Sequence, residues 1–480
     1  MRRLLALTLL QRGLAVAVYL VATMILARLL TPAQVGIYSL GAAVLAVASV
    51  VREFGITEFL MQDKSLDEGR IRAAFGVATA VAWTLGLVIL LLRGPIAAFY
   101  GEPGLEPLLA VMCSTFLVLP LATPTTALLF REMRVATVLW IQTVAVIVGH
   151  VASVTLAFHG YSYMSLAWGN VVNTLCMLAL LLWVRRDALR HLPTLRGSGP
   201  IWSYCSKYTA SGLLEQSSAN LHEFVIGRRF GFEALGLFSR ANGLFVYFNQ
   251  NIGRGVSRVL LPSFAQQARA DASQLHGQYV KTIGLYTALV WPMYGLMAVL
   301  APEIIRVLYG PQWAASAPLL RLLCLGAIVQ AAYAFAGELL GGLGQPGARL
   351  RITGLTTPLW AALCLAASFI SLPAVALALS VQSAIVLTLY VRQLRRLIGY
   401  SFGDLLRATR GSALLAACTI GAAALVRPTV LDLVGHPFPA GMVVGVVAGI
   451  VWCAVAFATR HAVAGEIRRA LGAIQARVTR

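Results

Sequence analysis

The sequence has few charged residues, very few acidic ones, and lacks several motifs that carry catalysis. Of its 480 residues only 12% are charged, with 18 Asp and Glu against 38 Lys and Arg. It contains no GxxxxGK[ST] loop to cradle phosphate, no HExxH, no GxSxG and no Asp-x-Asp pair. These absences argue against several hydrolase and transferase classes, and against transport powered by ATP hydrolysis in this chain itself.

Paired cysteines are also lacking. The seven cysteines lie in or beside apolar stretches, without a CxxC or any other metal-ligand spacing, at positions 113, 176, 205, 324, 364, 418 and 453. They are therefore interpreted as buried small hydrophobic residues, and no metal and no cofactor is predicted.

Long hydrophobic runs are the main feature of the sequence. Hydrophobic residues make up 59% of the chain and the mean hydropathy is +0.79. A helix needs roughly 20 apolar residues to cross a hydrocarbon core of about 30 Å, and in lipid its backbone groups must bond within the segment. The runs predict an all-α polytopic membrane protein of about fourteen spans, at 13–30, 36–53, 73–92, 105–129, 135–158, 162–184, 208–228, 236–262, 282–300, 318–342, 352–370, 373–391, 411–427 and 439–459.

The distribution of the basic residues predicts the topology. The net charge of +20 would suggest nucleic acid in a soluble protein. With both termini in the cytoplasm, however, cytoplasmic segments hold 28 of the 38 Lys and Arg residues. The basic segments 185–207, 392–410 and 460–480 are thus interpreted as anchors beside anionic lipid, with no nucleic-acid partner. Eight arginines fall on the outer side: Arg28, Arg93, Arg228, Arg229, Arg240, Arg306, Arg321 and Arg427.

The chain contains an internal repeat. Residues 27–39, ARLLTPAQVGIYS, recur in pattern as residues 227–239, GRRFGFEALGLFS, at a spacing of 200. Pro95, Tyr100-Gly101 and Cys113 have counterparts in the same order at Pro302, Tyr309-Gly310 and Cys324. Both matches fall outside the membrane on one side, which predicts two parallel six-helix lobes that rock about a central cavity. The predicted parts are a lobe at 1–184, a cytoplasmic linker at 185–207, a second lobe at 208–391, and a loop, two further spans and a basic tail at 392–480.

Polar residues at membrane depth are costly, so each is a candidate site residue. In span 7, Gln216, Asn220 and Glu223 follow at i, i+4 and i+7 and share one helical face. In span 8, Gln250, Arg254 and Arg258 form a second stripe, close to Asn249. Both stripes are expected to face a water-filled cavity, opposite polar residues of the first lobe: Tyr19, Arg52, Glu53, Gln142, His150, Asn170 and Asn173.

Arginine matches phosphate oxygens with two parallel hydrogen bonds and keeps its charge. Arg52, Arg254 and Arg258 are therefore candidates for binding a pyrophosphate, with Gln250, Asn220 and Asn249 as further substrate-binding residues. The alternatives stay open: Arg258 can extend to lipid headgroups, and Arg52 can simply pair with Glu53.

Four further residues are candidates for carrying a coupling proton or sodium ion. They are Glu223, Glu215, His222 and Glu338, since burial brings the pKa of a carboxyl or an imidazole toward working pH. Structural hydrogen bonds between helices are the alternative for each of them, and the glycines around Glu338 can serve close helix packing.

Several of these segments resemble the oligosaccharide flippases of exopolysaccharide and O-antigen export. The matching stretches are 220–231 (NLHEFVIGRRFG), 235–241 (LGLFSRA), 256–264 (VSRVLLPSF) and 309–313 (YGPQW), together with 27–38 and 52–56 near the amino terminus. The resemblance covers the first twelve spans. It implies membership of the superfamily that also contains lipid II flippases and multidrug and toxin extrusion transporters.

The resemblance implies a function as well. Relatives move undecaprenyl-pyrophosphate-linked repeat units from the inner to the outer leaflet of the bacterial cytoplasmic membrane, some with a coupling cation. Polymerase and chain-length or export machinery are the implied partners, besides membrane lipids. Many relatives carry an Asp two residues after the span 7 Asn, where this chain has His222 followed by Glu223. The rival hypotheses are a cation-coupled small-molecule exporter, which a basic cavity disfavours, and a membrane glycan polymerase or ligase.

Overall fold

The computed structural model describes residues 2–53, 55–63, 66–186, 193–466 and 468–469. Inside some helices it describes the backbone only. Within the described part of the chain the regular structure is helical and no strand occurs.

Seventeen α-helices follow one another along these residues. They are α1 (Arg2–Leu29), α2 (Pro32–Glu53), α3 (Ile56–Gln62), α4 (Glu68–Tyr100), α5 (Leu105–Cys113), α6 (Thr115–Arg131), α7 (Val135–Phe158), α8 (Met164–Val184), α9 (Gly199–Ala270), α10 (Leu275–Val299), α11 (Ala301–Leu308), α12 (Ser316–Ala331), α13 (Ala336–Gly342), α14 (Pro346–Ser368), α15 (Leu372–Ile398), α16 (Phe402–Val434) and α17 (Pro437–Ala458).

The prediction of an all-α polytopic membrane protein is confirmed. Among the described residues, eleven helical segments are long and apolar enough to cross a membrane, and α1 adds a shorter apolar stretch, Val16–Leu29. Every predicted span overlaps a helix, and α7 has the predicted bounds. The number fourteen stays a prediction.

Local sequence signals set the helix ends. The Asp67 side chain accepts a hydrogen bond from the backbone at the start of α4, and Ser401 forms a capping box with Asp404 at the start of α16. Gly101 and Gly435 end α4 and α16 in the left-handed conformation that favours glycine. Short connections at these glycines join α4 to α5 and α16 to α17.

The chain divides into two compact units, Met1–Ser239 and Arg240–Arg480. The first contains α1 to α8 and the part of α9 up to Ser239, and the second contains the rest of α9 and α10 to α17. The lobe boundaries at 184 and 208 stay predictions.

Small residues bring helices together in the first unit. On α7 and α8, a Cβ on Gly169 would overlap with the Ser153 hydroxyl, and a Cβ on Gly149 would lie 2.9 Å from the Gly169 carbonyl oxygen. In lipid there is no hydrophobic drive between helices, so close van der Waals contact of this kind stabilises their association.

In the second unit the two trailing helices pack on α10. The hydroxyls of Thr287 and Ser412 are hydrogen bonded at 3.0 Å, and Ser412 also donates to the Gly284 carbonyl at 2.9 Å. The Trp452 indole of α17 donates to the Ala288 carbonyl at 2.9 Å. These hydrogen bonds join α16 and α17 to α10 within lipid, where water does not compete for the donors and acceptors.

Candidate functional site

The two copies of the sequence repeat meet face to face inside the first unit. Gly231, with φ of 81°, interrupts α9 at the position equivalent to the break between α1 and α2. A Cβ on Gly36 would overlap with the carbonyl oxygen of Phe232, and a Cβ on Gly236 would overlap with that of Pro32. Both helices therefore need glycine at equivalent positions, because each presses its glycine onto the backbone of the other.

One turn further along, the two copies are joined by a hydrogen bond. The hydroxyls of Ser39 and Ser239 lie 2.8 Å apart, and both side chains are half-buried. We call Gly36, Gly236, Ser39 and Ser239 the repeat contact. The predicted site residues do not include these four. The signal was present, however, since all four stand at the repeat spacing of 200.

The polar face predicted for span 7 lies on α9 before Gly231. Gln216 and Asn220 are half-buried, and the Asn220 amide donates to the Gln216 carbonyl at 2.9 Å, a bond within its own helix. Glu223 differs from the expectation of a water-facing stripe, since only 8% of its surface is exposed. At Glu223 the stripe is therefore buried rather than open to water.

His222 and Glu223 form a buried polar pair. The His222 Nε2 atom lies 3.7 Å from Oε1 of Glu223, and His222 is 6% exposed beside the ring of Phe238 at 5.2 Å. Oε2 of Glu223 is buried and accepts no hydrogen bond from the part of the chain that the structure describes. A carboxylate in such a place is costly unless it binds a cation or a proton.

Arg52 lies at the end of α2 and pairs with its neighbour in the sequence. Its Nη2 atom is 3.2 Å from Oε1 of Glu53, and its guanidinium lies 5.4 Å from the ring centre of Phe116. The Arg52 side chain is 14% exposed whereas that of Glu53 is 63% exposed. The alternative pairing of Arg52 with Glu53 is therefore present, with a solvated carboxylate.

Asn249 belongs to a hydrogen-bonded network in the second unit. Its amide donates to Oε1 of Gln330 at 3.1 Å, and its carbonyl oxygen accepts from the Tyr294 hydroxyl at 3.4 Å. The network joins α9, α10 and α12 at membrane depth. Nothing in the sequence pattern marked Gln330 and Tyr294 as partners, because they lie 81 and 45 residues away.

Glu338 lies where a helix is broken. The chain leaves helical geometry between α12 and α13, and Glu338 is half-buried in the first turn of α13. Broken helices are typical of ion sites in transporters, where polar groups gather at the break.

Four predicted site residues lie outside the described side chains: Glu215, Gln250, Arg254 and Arg258. Within the described residues no group of three or more His, Cys, Asp or Glu could hold a metal ion. In the first unit, the rings of Tyr19 and His150 are 5.9 Å apart, so these two residues lie together.

A family described as polysaccharide biosynthesis proteins matches residues 25–318. Lipopolysaccharide biosynthesis protein WzxC of Escherichia coli (strain K12) is 24% identical over 338 residues, which cover 70% of this chain and 67% of WzxC. Succinoglycan biosynthesis transport protein ExoT of Rhizobium meliloti (strain 1021) is 28% identical over 310 residues, 63% of this chain and 61% of ExoT. The chain thus matches about two thirds or less of the length of these two relatives.

A solved structure shares the fold over nearly the full chain. The lipid II flippase MurJ, in an inward closed conformation, superposes with a TM-score of 0.72 at 12% identity and covers 95% of this chain and 99% of its own. The likeness in fold therefore continues well past residue 318, where the family match ends.

Proposed function

Because the chain belongs to the family of polysaccharide biosynthesis proteins, we propose that it is a flippase for undecaprenyl-pyrophosphate-linked oligosaccharide repeat units. It moves them from the inner to the outer leaflet of the bacterial cytoplasmic membrane by alternating access, for exopolysaccharide or lipopolysaccharide synthesis. The chain is not an enzyme in this proposal, and both of its termini are cytoplasmic.

The repeat contact is the observation that carries the proposal. Parallel repeats related by an axis along the membrane normal open and close by rocking, and equivalent helix ends then meet or part. The two motif copies lie at the end that the charge distribution predicts to be outside. A contact made of glycine backbone and one hydroxyl pair is tight, but it holds little energy, about 0.5–1.5 kcal/mol for the hydrogen bond. It is suited to break and form in each cycle.

The substrate pyrophosphate is bound by arginine in this proposal. Arg52 is available for this role because its partner Glu53 is exposed, and ion pairs to solvated carboxylates contribute only about 0–1 kcal/mol. A pyrophosphate presents more charge and can accept two hydrogen bonds from one guanidinium. Arg254 and Arg258 supply the other contacts, and Gln250, Asn220 and Asn249 bind the glycan.

Coupling is assigned to the buried pair on α9. Glu223 binds a proton or a sodium ion at its free Oε2 atom, and His222 adjoins the site. Glu215 and Glu338 are the secondary candidates, the latter because of the break between α12 and α13.

Leaflet translocation of a lipid-linked oligosaccharide in proteoliposomes tests the function directly. The wild-type chain should translocate it, and Arg254→Ala should reduce the rate to background while the protein still inserts. Arg269→Ala is a matched control, because Arg269 lies on the same helix and is exposed. Equal rates for wild type and Arg254→Ala would remove Arg254 from the site, and no translocation by the wild type would refute the function.

The same purified chain distinguishes the flippase from the two alternative functions. Export of a cationic dye without movement of the lipid-linked glycan would identify a small-molecule exporter. Polymer formation from lipid-linked units by the purified chain would identify a polymerase or ligase. A polysaccharide polymerase and chain-length or export machinery are the expected partners, because a flipped repeat unit must next be joined to others.

A further inference from the structure

Two of the arginines on the predicted outer side line one groove of the second unit. Arg321 of α12 and Arg427 of α16 share a groove of about 440 Å³ with α10. Its other lining residues are apolar or small, among them Val299, Leu325 and Ile420. The volume is within the range of small-ligand clefts, roughly 300–1,000 Å³.

The groove runs from the helix ends into the membrane. Arg321 is five residues from the start of α12, and Ile328, also in the wall, is seven residues further along. At 1.5 Å per residue these two positions are about 10 Å apart. Leu325 between them is 49% exposed, so the wall is open to lipid. The guanidinium groups thus lie near headgroup level, and the apolar wall lies beside the acyl chains.

Arg427 is held in place by a buried carboxylate. Its Nε and Nη2 atoms donate to the same oxygen, Oε1 of Glu303, at 3.0 and 2.7 Å. The Glu303 side chain is 7% exposed, and that of Arg427 is 28% exposed. Nη1 of Arg427 makes no hydrogen bond with the described residues, so the pair fixes the guanidinium and leaves one of its nitrogen atoms for another acceptor.

Arg321 has more nitrogen atoms than Arg427 that can donate hydrogen bonds to a ligand. Its Nε donates to the Ala298 carbonyl at 3.2 Å, and within the described chain its two terminal nitrogens have no acceptor. Two guanidinium groups and one carboxylate leave the groove with a net positive charge. Arginine on the outer side also runs against the positive-inside distribution, so topology does not account for Arg321.

We propose that this groove binds a glycerophospholipid of the outer leaflet, with its phosphate held by Arg321 and Arg427 and one acyl chain along the apolar wall. Charge complementarity selects the phosphate, and guanidinium groups match its oxygens. The opposite face of α10 provides a contrast. A second apolar groove there, of about 380 Å³, has Glu303 as its one charged lining residue and offers a phosphate no cation.

The test measures lipid bound to the purified, delipidated chain in detergent by native mass spectrometry. Phosphatidylglycerol is the probe, and diacylglycerol with the same acyl chains is the comparison. We expect Arg321→Gln to bind phosphatidylglycerol about tenfold more weakly, as loss of charge-assisted hydrogen bonds implies. Arg306→Gln is the matched control, since Arg306 is exposed on α11 and lines neither groove. It should bind like the wild type.

A second variant keeps the proposal testable if Arg321→Gln fails to fold. Glu303→Gln combined with Arg427→Gln removes both charges of the buried pair, so neither is left uncompensated. It should also bind phosphatidylglycerol about tenfold more weakly. Equal binding of phosphatidylglycerol and diacylglycerol by the wild type would overturn the proposal, and so would unchanged binding in both variants. A loss as large in Arg306→Gln would overturn it too, since it would indicate unspecific attraction.

Discussion

Cross-linking the repeat contact should stop transport reversibly. The perturbation is the double variant Ser39→Cys, Ser239→Cys. The two hydroxyl oxygens are 2.8 Å apart, and a disulfide needs its sulfur atoms about 2.05 Å apart, so they must approach by about 0.8 Å. Side-chain rotation covers that distance, and the glycines one turn away keep the helices close.

The size of the loss in translocation rate distinguishes a disulfide from a lost hydrogen bond. Ser39→Ala or Ser239→Ala removes one hydrogen bond between half-buried groups, about 1 kcal/mol, which shifts the balance of closed and open states about fivefold. The disulfide instead holds the contact closed for as long as it persists. Translocation should therefore fall to background in the oxidised double variant and change only a few-fold in the alanine variants.

The assay is translocation of lipid-linked oligosaccharide by proteoliposomes before oxidation, after oxidation and after reduction. The wild type and the two single cysteine variants must be treated in the same way, because the chain has seven cysteines of its own. Full transport by a protein shown to be cross-linked would refute the reasoning, since the contact would then not part during the cycle. Failure to form any disulfide would contradict the distance on which it rests.

Three further predictions concern residues of both units. Gly236→Val should hold the repeat contact apart, because the new side chain would overlap with the Pro32 carbonyl oxygen, which cannot move without its helix. We expect the free energy of unfolding to fall by about 1–3 kcal/mol. Unchanged thermal unfolding in detergent would contradict the packing. Glu223→Gln should remove any response of translocation to an imposed proton gradient, and a variant that responds like the wild type would exclude coupling at this carboxylate. Asn249→Ala removes the hydrogen bonds of Asn249 to Gln330 and Tyr294. The free energy of unfolding should fall by about 1–3 kcal/mol. Full stability with lost transport would instead indicate that Asn249 contacts the substrate directly.

The repeat shows how far the sequence leads toward the site. Its spacing of 200 marks Gly36 with Gly236 and Ser39 with Ser239 as equivalent, but equivalence does not imply contact. Only the structure shows that these pairs touch. Arg52 is the opposite case, because its partner is the next residue and the pairing was foreseeable.

The sequence by itself determined that the chain is a helical membrane protein, where its helices lie and how it repeats. Helix formation is local, since each backbone hydrogen bond joins residues four apart and an apolar run of sufficient length must satisfy its own backbone in lipid. The tertiary structure alone decided which side chains meet across helices, as with Arg427 and Glu303, 124 residues apart. Such pairs depend on how helix faces fit together, and in lipid that fit comes from packing and hydrogen bonds between distant residues, which hydrophobic periodicity does not encode.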